Sequence, residues 1–184
     1  MTTKRQPDVA LLDAAAGQDA ALVDRLTELV NRVYAIAESG LWRDGMTRTT
    51  PSEMTELIAA QEIAVATADG EIAGCIRMHD VSEDTSEFGI LVSAPEHRGT
   101  GIGRALLDFA EQHSRRRGQR AMQLELLVPR DWSHPSKEFL KRWYGHRGYR
   151  LVRTTSLDES YPHLTPLLAT PCDLEIHAKP LMRR

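Results

Sequence analysis

Leu22, Leu26, Leu29, Val30, Val33 and Ala37 recur at spacings of three and four, which marks one face of a helix that begins at Asp19 and stops at Gly40. A polar loop, 42–50, leads to a second helix with Met54, Leu57 and Ile58 on its apolar side. Thr50 stands at the capping position, with Pro51 at the first helical position. Two strand-like runs, 63–67 and 72–78, flank Asp69-Gly70, a strong signal for a tight hairpin. A third run, 87–93, ends in a glycine-rich turn. The turn opens a helix over 101–117 whose stripe is Ile102, Ala105, Leu106, Phe109 and Ala110. Gly118 suits the end of that helix, and Arg115, Arg116 and Arg117 lie where its dipole favours cations.

Strict alternation over 122–128 predicts a strand, with Met122, Leu124, Leu126 and Val128 on one face and Gln123, Glu125 and Leu127 on the other. A helix follows Pro135 and ends at Gly148. Runs 149–154 and 174–179 read as strands, separated by a loop with Pro162, Pro166 and Pro171. Residues 1–18, small, polar and alanine-rich, read as a flexible N-terminal tail, which leaves 19–184 as a single domain of the mixed α/β or α+β class.

Composition narrows the field without choosing a function. With 184 residues, 41% hydrophobic and 27% charged, the chain is long enough for one well-formed core and too apolar to stay disordered. A net charge of −3 gives no general attraction to nucleic acid or to an anionic membrane. Cys75 and Cys172 are far apart, so no disulfide framework is implied. The seven histidines form no metal-binding spacing. The N-terminus lacks the apolar segment of a signal peptide, and no run reaches membrane-spanning length; a cytoplasmic protein is expected.

The chemistry concentrates in residues 87–107. A strand, a short loop and Arg98-Gly99-Thr100-Gly101-Ile102-Gly103-Arg104 lead straight into a helix. Such a turn offers free backbone N–H groups at the positive end of a helix dipole, and glycines let a phosphate approach closely. A P-loop is excluded because no Lys-Ser or Lys-Thr follows. Glycines at 99, 101 and 103 are misplaced for the dinucleotide fingerprint, and the preceding hairpin speaks against a parallel βαβ unit.

The segment resembles the acetyl-CoA signature of GNAT N-acetyltransferases, Arg/Gln-x-x-Gly-x-Gly/Ala, met by Arg98, Gly101 and Gly103. The run from Glu87 to Gly99 looks like that family's fourth strand and loop, and Gly103 to Leu107 like the start of its third helix. Tyr144-x-x-x-Gly148-Tyr149 is similar to its Tyr-x-x-x-Gly-Phe/Tyr motif. The resemblance covers residues 20 to 155. It implies a central mixed, mostly antiparallel, splayed sheet flanked by helices, no metal, and transfer of an acetyl group from acetyl-CoA to a primary amine. A non-catalytic acyl-CoA sensor or interaction module is the alternative. The implied partner is a small-molecule or peptide amine rather than nucleic acid or membrane, and a homodimer is compatible.

Residue by residue, the resemblance assigns the CoA pyrophosphate to Arg98, Gly99, Thr100, Gly101, Ile102, Gly103 and Arg104. It assigns the pantetheine arm and the oxyanion to the backbone of Leu91, Val92 and Ser93. Tyr144 matches the acid that protonates the thiolate; a tyrosine with a reference pKa of about 10 carries its proton at neutral pH. A core aromatic is the other reading of that position. Glu87 stands where many members place a catalytic glutamate, with Glu125 as a second carboxylate and water as a further option. Where the family often has Asn, this chain has Lys137, a candidate phosphate contact. The acceptor side is expected to draw on Tyr34, Glu38, Trp42, the Asp131-Trp132-Ser133-His134 loop and the 156–172 segment, with Trp42 and Trp132 as apolar walls and Glu38 and Asp131 as anions; each also reads as a packing or capping residue.

Overall fold

The computed structural model describes residues 7–181. Seven strands form one sheet in the order β1-β2-β3-β4-β5-β7-β6. They are β1 (Asp8–Leu11), β2 (Ile63–Ala68), β3 (Glu71–Asp80), β4 (Thr85–Ser93), β5 (Ala121–Pro129), β6 (Arg150–Ser156) and β7 (Cys172–Pro180). Five helices accompany them: α1 (Ala20–Ala37), α2 (Pro51–Ala59), α3 (Ile102–Arg116), α4 (Pro135–His146) and the short α5 (Leu157–Ser160).

Local signals set most element ends. Asp19 caps α1 through Leu22 N–H at 3.1 Å. Thr50 and Glu53 exchange the two hydrogen bonds of a capping box at α2. Asp69 and Gly70, at φ 52° and 83°, make the β2–β3 hairpin. Gly148, at φ 95°, ends α4 and turns the chain back so that Tyr149 N–H reaches Tyr144 O at 3.0 Å.

Residues 8–18 depart from the expected tail. β1 pairs antiparallel with β2 from Asp8↔Thr67 to Leu11↔Ala64, and a 3₁₀ turn (Ala14–Gln18) follows, begun by Asp13 accepting from Ala15 N–H. Val9 and Leu11 pack on the core. Four residues of alternation are too few to stand out in the sequence; the open edge of β2 supplies the template. Residues 1–6 of the expected tail lie outside the described residues. The 157–167 loop likewise contains α5 and a 3₁₀ turn (Thr165–Leu167).

Two cores cover the two faces of the sheet. One joins Phe88, Met122, Leu124, Leu126 and Val128 to Ile102, Leu106, Leu107 and Ala110 of α3 and Tyr144 of α4. The other joins Cys75, Ile90 and Val92 to Val23, Leu26 and Val30 of α1 and Met54 and Ile58 of α2. Strict alternation would keep Phe88 and Ile90 on one face. They lie on opposite faces because β4 carries a bulge: Gly89 pairs with Arg77 but Val92 with Cys75, and Ile90 takes φ 47°. A β-branched residue in that conformation is strained and persists only where packing holds it; Ile90 is 2% exposed.

Contrary to the sequence expectation, β4, α3 and β5 do make a parallel crossover. Its pairing lasts only three rungs, Thr85↔Ala121 to Glu87↔Gln123. Beyond them the strands part while β5 stays fully paired with β7 on its other side. The sheet is therefore splayed between β4 and β5.

Candidate active site

The split begins at Glu87. Gln123, its partner on the last rung, donates from Nε2 to Glu87 Oε2 at 2.7 Å. Burial pushes the Glu87 carboxyl above its ordinary value and the charge of Glu125 adds to that, while the Gln123 bond opposes it. His79, opposite Glu87 on β3, lies 3.7 Å from Oε1 through Nε2, and burial, followed by the charge of Arg77, lowers its pKa. Two residues on, past the split, Glu125 accepts a 2.6 Å bond from the Tyr161 hydroxyl.

Past Glu87 the β5-facing edge of β4 is unpaired through Ser93. An edge of this kind offers its N–H and C=O groups to an extended ligand as a neighbouring strand would. Tyr144 approaches the split from the α4 face. It is 5% exposed and packs against Phe88 and Tyr149 at ring distances of 5.7 and 6.1 Å. Its hydroxyl makes no hydrogen bond among the described residues. Burial drives the Tyr144 pKa well above the ordinary tyrosine value, with a further push from Tyr34. Tyr34 belongs to α1 and packs against the cluster on the opposite face of the sheet.

At the C-terminal end of β4 the chain makes a 3₁₀ turn (Pro95–His97) and enters α3. Thr100 closes the turn, its N–H and Oγ1 both reaching His97 O. Gly99 and Gly101 have φ 74° and 93°, and Gly101 begins α3 with no side-chain cap. Among the described residues, the N–H groups of Gly99, Gly101, Ile102, Gly103 and Arg104 find no backbone acceptor in the turn. That is a cradle of free donors on a helix dipole, suited to an anionic diphosphate. Gly103 is the informative residue. It sits in the helix with no positive φ, and a Cβ there would meet nothing within 4 Å, so the fold itself has no need of a glycine. The absent side chain leaves the turn open to close approach of a ligand. Gly74 is the opposite case: a Cβ there would lie 2.4 Å from Val92 O and 2.7 Å from Ile102, so it serves the packing of α3 on the sheet.

Several expected contacts are otherwise committed. Lys137, 3% exposed, donates to Glu38 Oε1 at 2.7 Å, and Trp42 Nε1 donates to Glu38 Oε2 at 2.6 Å. Lys137, expected as a phosphate contact, and Glu38, expected on the acceptor side, thus neutralise each other at a buried junction of α1 and α4. Trp42 also bridges to Leu168, and Arg43 N–H and Ala169 N–H bond to Leu167 O and Leu41 O, stitching 41–43 to 167–169. Trp132 is 40% exposed, hydrogen-bonds Thr170 and stacks near Gly40, on the outside of that seam. Of the four acceptor-side candidates, Tyr34 packs against the cluster that contains Ile90 and Val92 of β4. Sequence reasoning reached the segment that holds Tyr161 without singling it out, and did not single out Gln123 or Arg48, whose guanidinium lies 5.1 Å from the Tyr34 ring centre. The alternation that put Gln123 with Glu125 was the one available signal. Among the described residues no cluster of His, Cys, Asp or Glu is placed to hold a metal, and no helix is long and apolar enough to cross a membrane.

The model of the Acetyltransferase (GNAT) family matches residues 25–146. No curated protein matches the sequence. Solved structures share the fold at low identity. An aminoglycoside 6'-N-acetyltransferase complexed with coenzyme A is 16% identical, with a TM-score of 0.71 over 96% of this chain and 98% of that one. The paiA N-acetyltransferase of Thermoplasma acidophilum, in complex with coenzyme A, is 15% identical with a TM-score of 0.71 over 96% and 99%. The yncA protein of Salmonella typhimurium, solved with its cofactor acetyl-CoA, is 17% identical with a TM-score of 0.68 over 98% and 96%.

Proposed function

This chain belongs to the GNAT acetyltransferase family, an acyltransferase group that draws on acetyl-CoA, and on that premise we propose that it acetylates a primary amine by direct attack on the thioester. The observation that carries this reading is the split at the Glu87–Gln123 rung, where a strand edge is left unpaired beside a carboxylate and where Tyr144 packs on Phe88, the next residue of that strand.

The donor fits two features of the chain. The free N–H groups from Gly99 to Arg104 suit the pyrophosphate, and the open edge at Leu91, Val92 and Ser93 suits the amide-bearing pantetheine arm. Arg98 and Thr100 shape the turn. The amine nitrogen bonds to the thioester carbonyl carbon while a backbone N–H of 91–93 supports the oxygen as it gains charge. The carbon–sulfur bond then breaks, and the thiolate takes the phenolic proton of Tyr144. Glu87, directly or through water, takes the proton that the amine loses. Its raised pKa favours this, because a base nearer neutrality is the better acceptor. Acceptors named for neighbours include aminoglycosides, which supports a small-molecule amine here.

The test is release of CoA thiol from acetyl-CoA with a panel of primary amines, beside calorimetric titration with acetyl-CoA, NAD and ATP. Amine-dependent release supports the reading. Acetyl-CoA binding with no release for any amine would favour a non-catalytic acyl-CoA sensor. Binding of NAD or ATP in its place would mean that the 98–104 turn serves another ligand.

A further inference from the structure

The loop between α1 and α2 holds a cation that the steps above do not use. Arg48 has no acidic partner among the described residues, whereas Arg77, Lys137 and Lys141 pair with Glu62, Glu38 and Glu175. Its backbone is nevertheless fixed. Asn31, on α1, accepts from Arg48 N–H at 2.9 Å and Thr49 N–H at 3.0 Å, and donates to Thr49 O at 2.9 Å. Thr49 is buried and Thr50 caps α2, so the segment is tied at both ends.

The surroundings give that charge a purpose. Arg48 lies over the Tyr34 ring, and its charge favours ionisation of both Tyr34 and Tyr161, against the larger effect of burial. The Tyr34 ring packs against the buried cluster that contains Ile90 and Val92 of β4, which places Arg48 on the α1–α2 side of the open β4 edge. Tyr161 leads to Glu125, and Glu125 shares a face of the sheet with Glu87. Both carboxylates are held by neutral partners, Glu125 by Tyr161 and Glu87 by Gln123, and neither is neutralised by a lysine or arginine among the described residues. Glu87 also has His79 Nε2 3.7 Å from Oε1, so this face carries two carboxylates without a lysine or arginine ion pair and, in Arg48, a guanidinium without an acidic one, among the described residues.

We propose that the acceptor is a small amine that also bears a carboxylate, as an amino acid does, with Arg48 holding the carboxylate and the ammonium facing Glu87 and Glu125. This rests on the transfer reading above and names its substrate class. A simple polyamine would leave Arg48 unanswered and add a like charge beside it; a carboxylate meets the guanidinium with two parallel charge-assisted hydrogen bonds.

The test compares neutral and acidic L-amino acids with their α-carboxamides, on the wild type and on Arg48→Gln. Two readouts are taken: binding to the CoA-saturated protein by calorimetry, and CoA release from acetyl-CoA. The expected result is a preference for the carboxylate of about tenfold or more in the wild type, collapsing toward one in Arg48→Gln. Equal binding of acid and amide by the wild type, a preference that survives Arg48→Gln, or binding of none of these amines overturns the proposal. A carboxylate preference in binding with no CoA release from any amine upholds the recognition and defeats the transfer reading instead.

Discussion

Gly103→Leu separates what the fold needs from what the ligand needs. A Cβ at this position meets nothing within 4 Å and the residue lies in the first turn of α3, so the substitution creates no internal clash at Cβ. Replacing a helical glycine by a good helix former stabilises by up to about 1 kcal/mol, and less in a first turn. For a chain of this length that amounts to roughly 2–4 °C in Tm at most. The ligand-free variant is therefore expected to melt at or slightly above the wild type. The cost falls on the donor: a leucine side chain among the free N–H groups keeps the pyrophosphate at a distance, and the loss of one charge-assisted bond weakens binding by about tenfold or more. At a concentration 100 times the wild-type Kd, acetyl-CoA stabilises the wild type by about 2.7 kcal/mol, or roughly 5–11 °C. The same concentration is then about 10 times the variant's Kd and gives only about 1.4 kcal/mol, or roughly 3–6 °C. Thermal melts with and without acetyl-CoA, checked by calorimetry, measure both quantities. An unchanged ligand-induced shift refutes the cradle. A large drop in the ligand-free Tm refutes the claim that the fold tolerates a side chain there.

Tyr144→Phe removes a hydroxyl that has no bonding partner among the described residues, so Tm and acetyl-CoA affinity should hold while kcat falls by about 100-fold or more; unchanged turnover at every pH removes Tyr144 from the chemistry. Glu87 accepts a proton only when ionised, and its pKa is raised, so kcat/KM should fall as pH drops through a value above the ordinary carboxylate range. Glu87→Gln should erase that limb of the profile. Lys137→Met strands a buried Glu38 carboxylate and should cost about 3–5 kcal/mol by chemical denaturation, with much of it recovered in the Lys137→Met, Glu38→Leu double variant. The Glu175 pKa is lowered because Lys141 and His177 together outweigh its burial. Its contribution to stability is present at neutral pH and should be lost as pH falls below the ordinary glutamate value through the lowered one, a loss that Glu175→Gln abolishes in acid titration.

Features set by neighbours in the chain were legible in the sequence. The Asp69-Gly70 hairpin, the Thr50–Glu53 cap, the α3 stripe and the glycine turn each depend on residues within one or two turns of one another. Features that depend on distant partners were not. Glu38 and Lys137 are 99 positions apart, and nothing in either segment announces the other. β1 exists because β2 has an edge to fill, and Asn31 holds Arg48 across a loop whose composition reads as ordinary surface. Glu125 is intermediate: the alternation of β5 put it with Gln123, but only the Tyr161 bond shows which face carries them.

The bulge at Ile90 runs against local expectation and links fold to site. An isoleucine prefers extended backbone, and its left-handed conformation costs on the order of 1–2 kcal/mol. What holds it there is the core formed by α1 and α2, in which Ile90 and Val92 are both buried. Without the extra residue, Phe88, Ile90 and Val92 would share the α3 face. The α1–α2 layer would then lose its anchors on β4, and the layer carrying Tyr34, Asn31 and the Arg48 loop would lose its seat. With it, the α3 side keeps Phe88 for Tyr144 to pack on, and the opposite face receives the helices that border the acceptor end. One inserted residue, just past the last β4–β5 rung, thus lets helices pack on both faces of β4, with Tyr144 against Phe88 on one side and Tyr34 on the cluster of Ile90 and Val92 on the other. The strain at Ile90 persists because the two helical layers can be seated together only with the bulge in place.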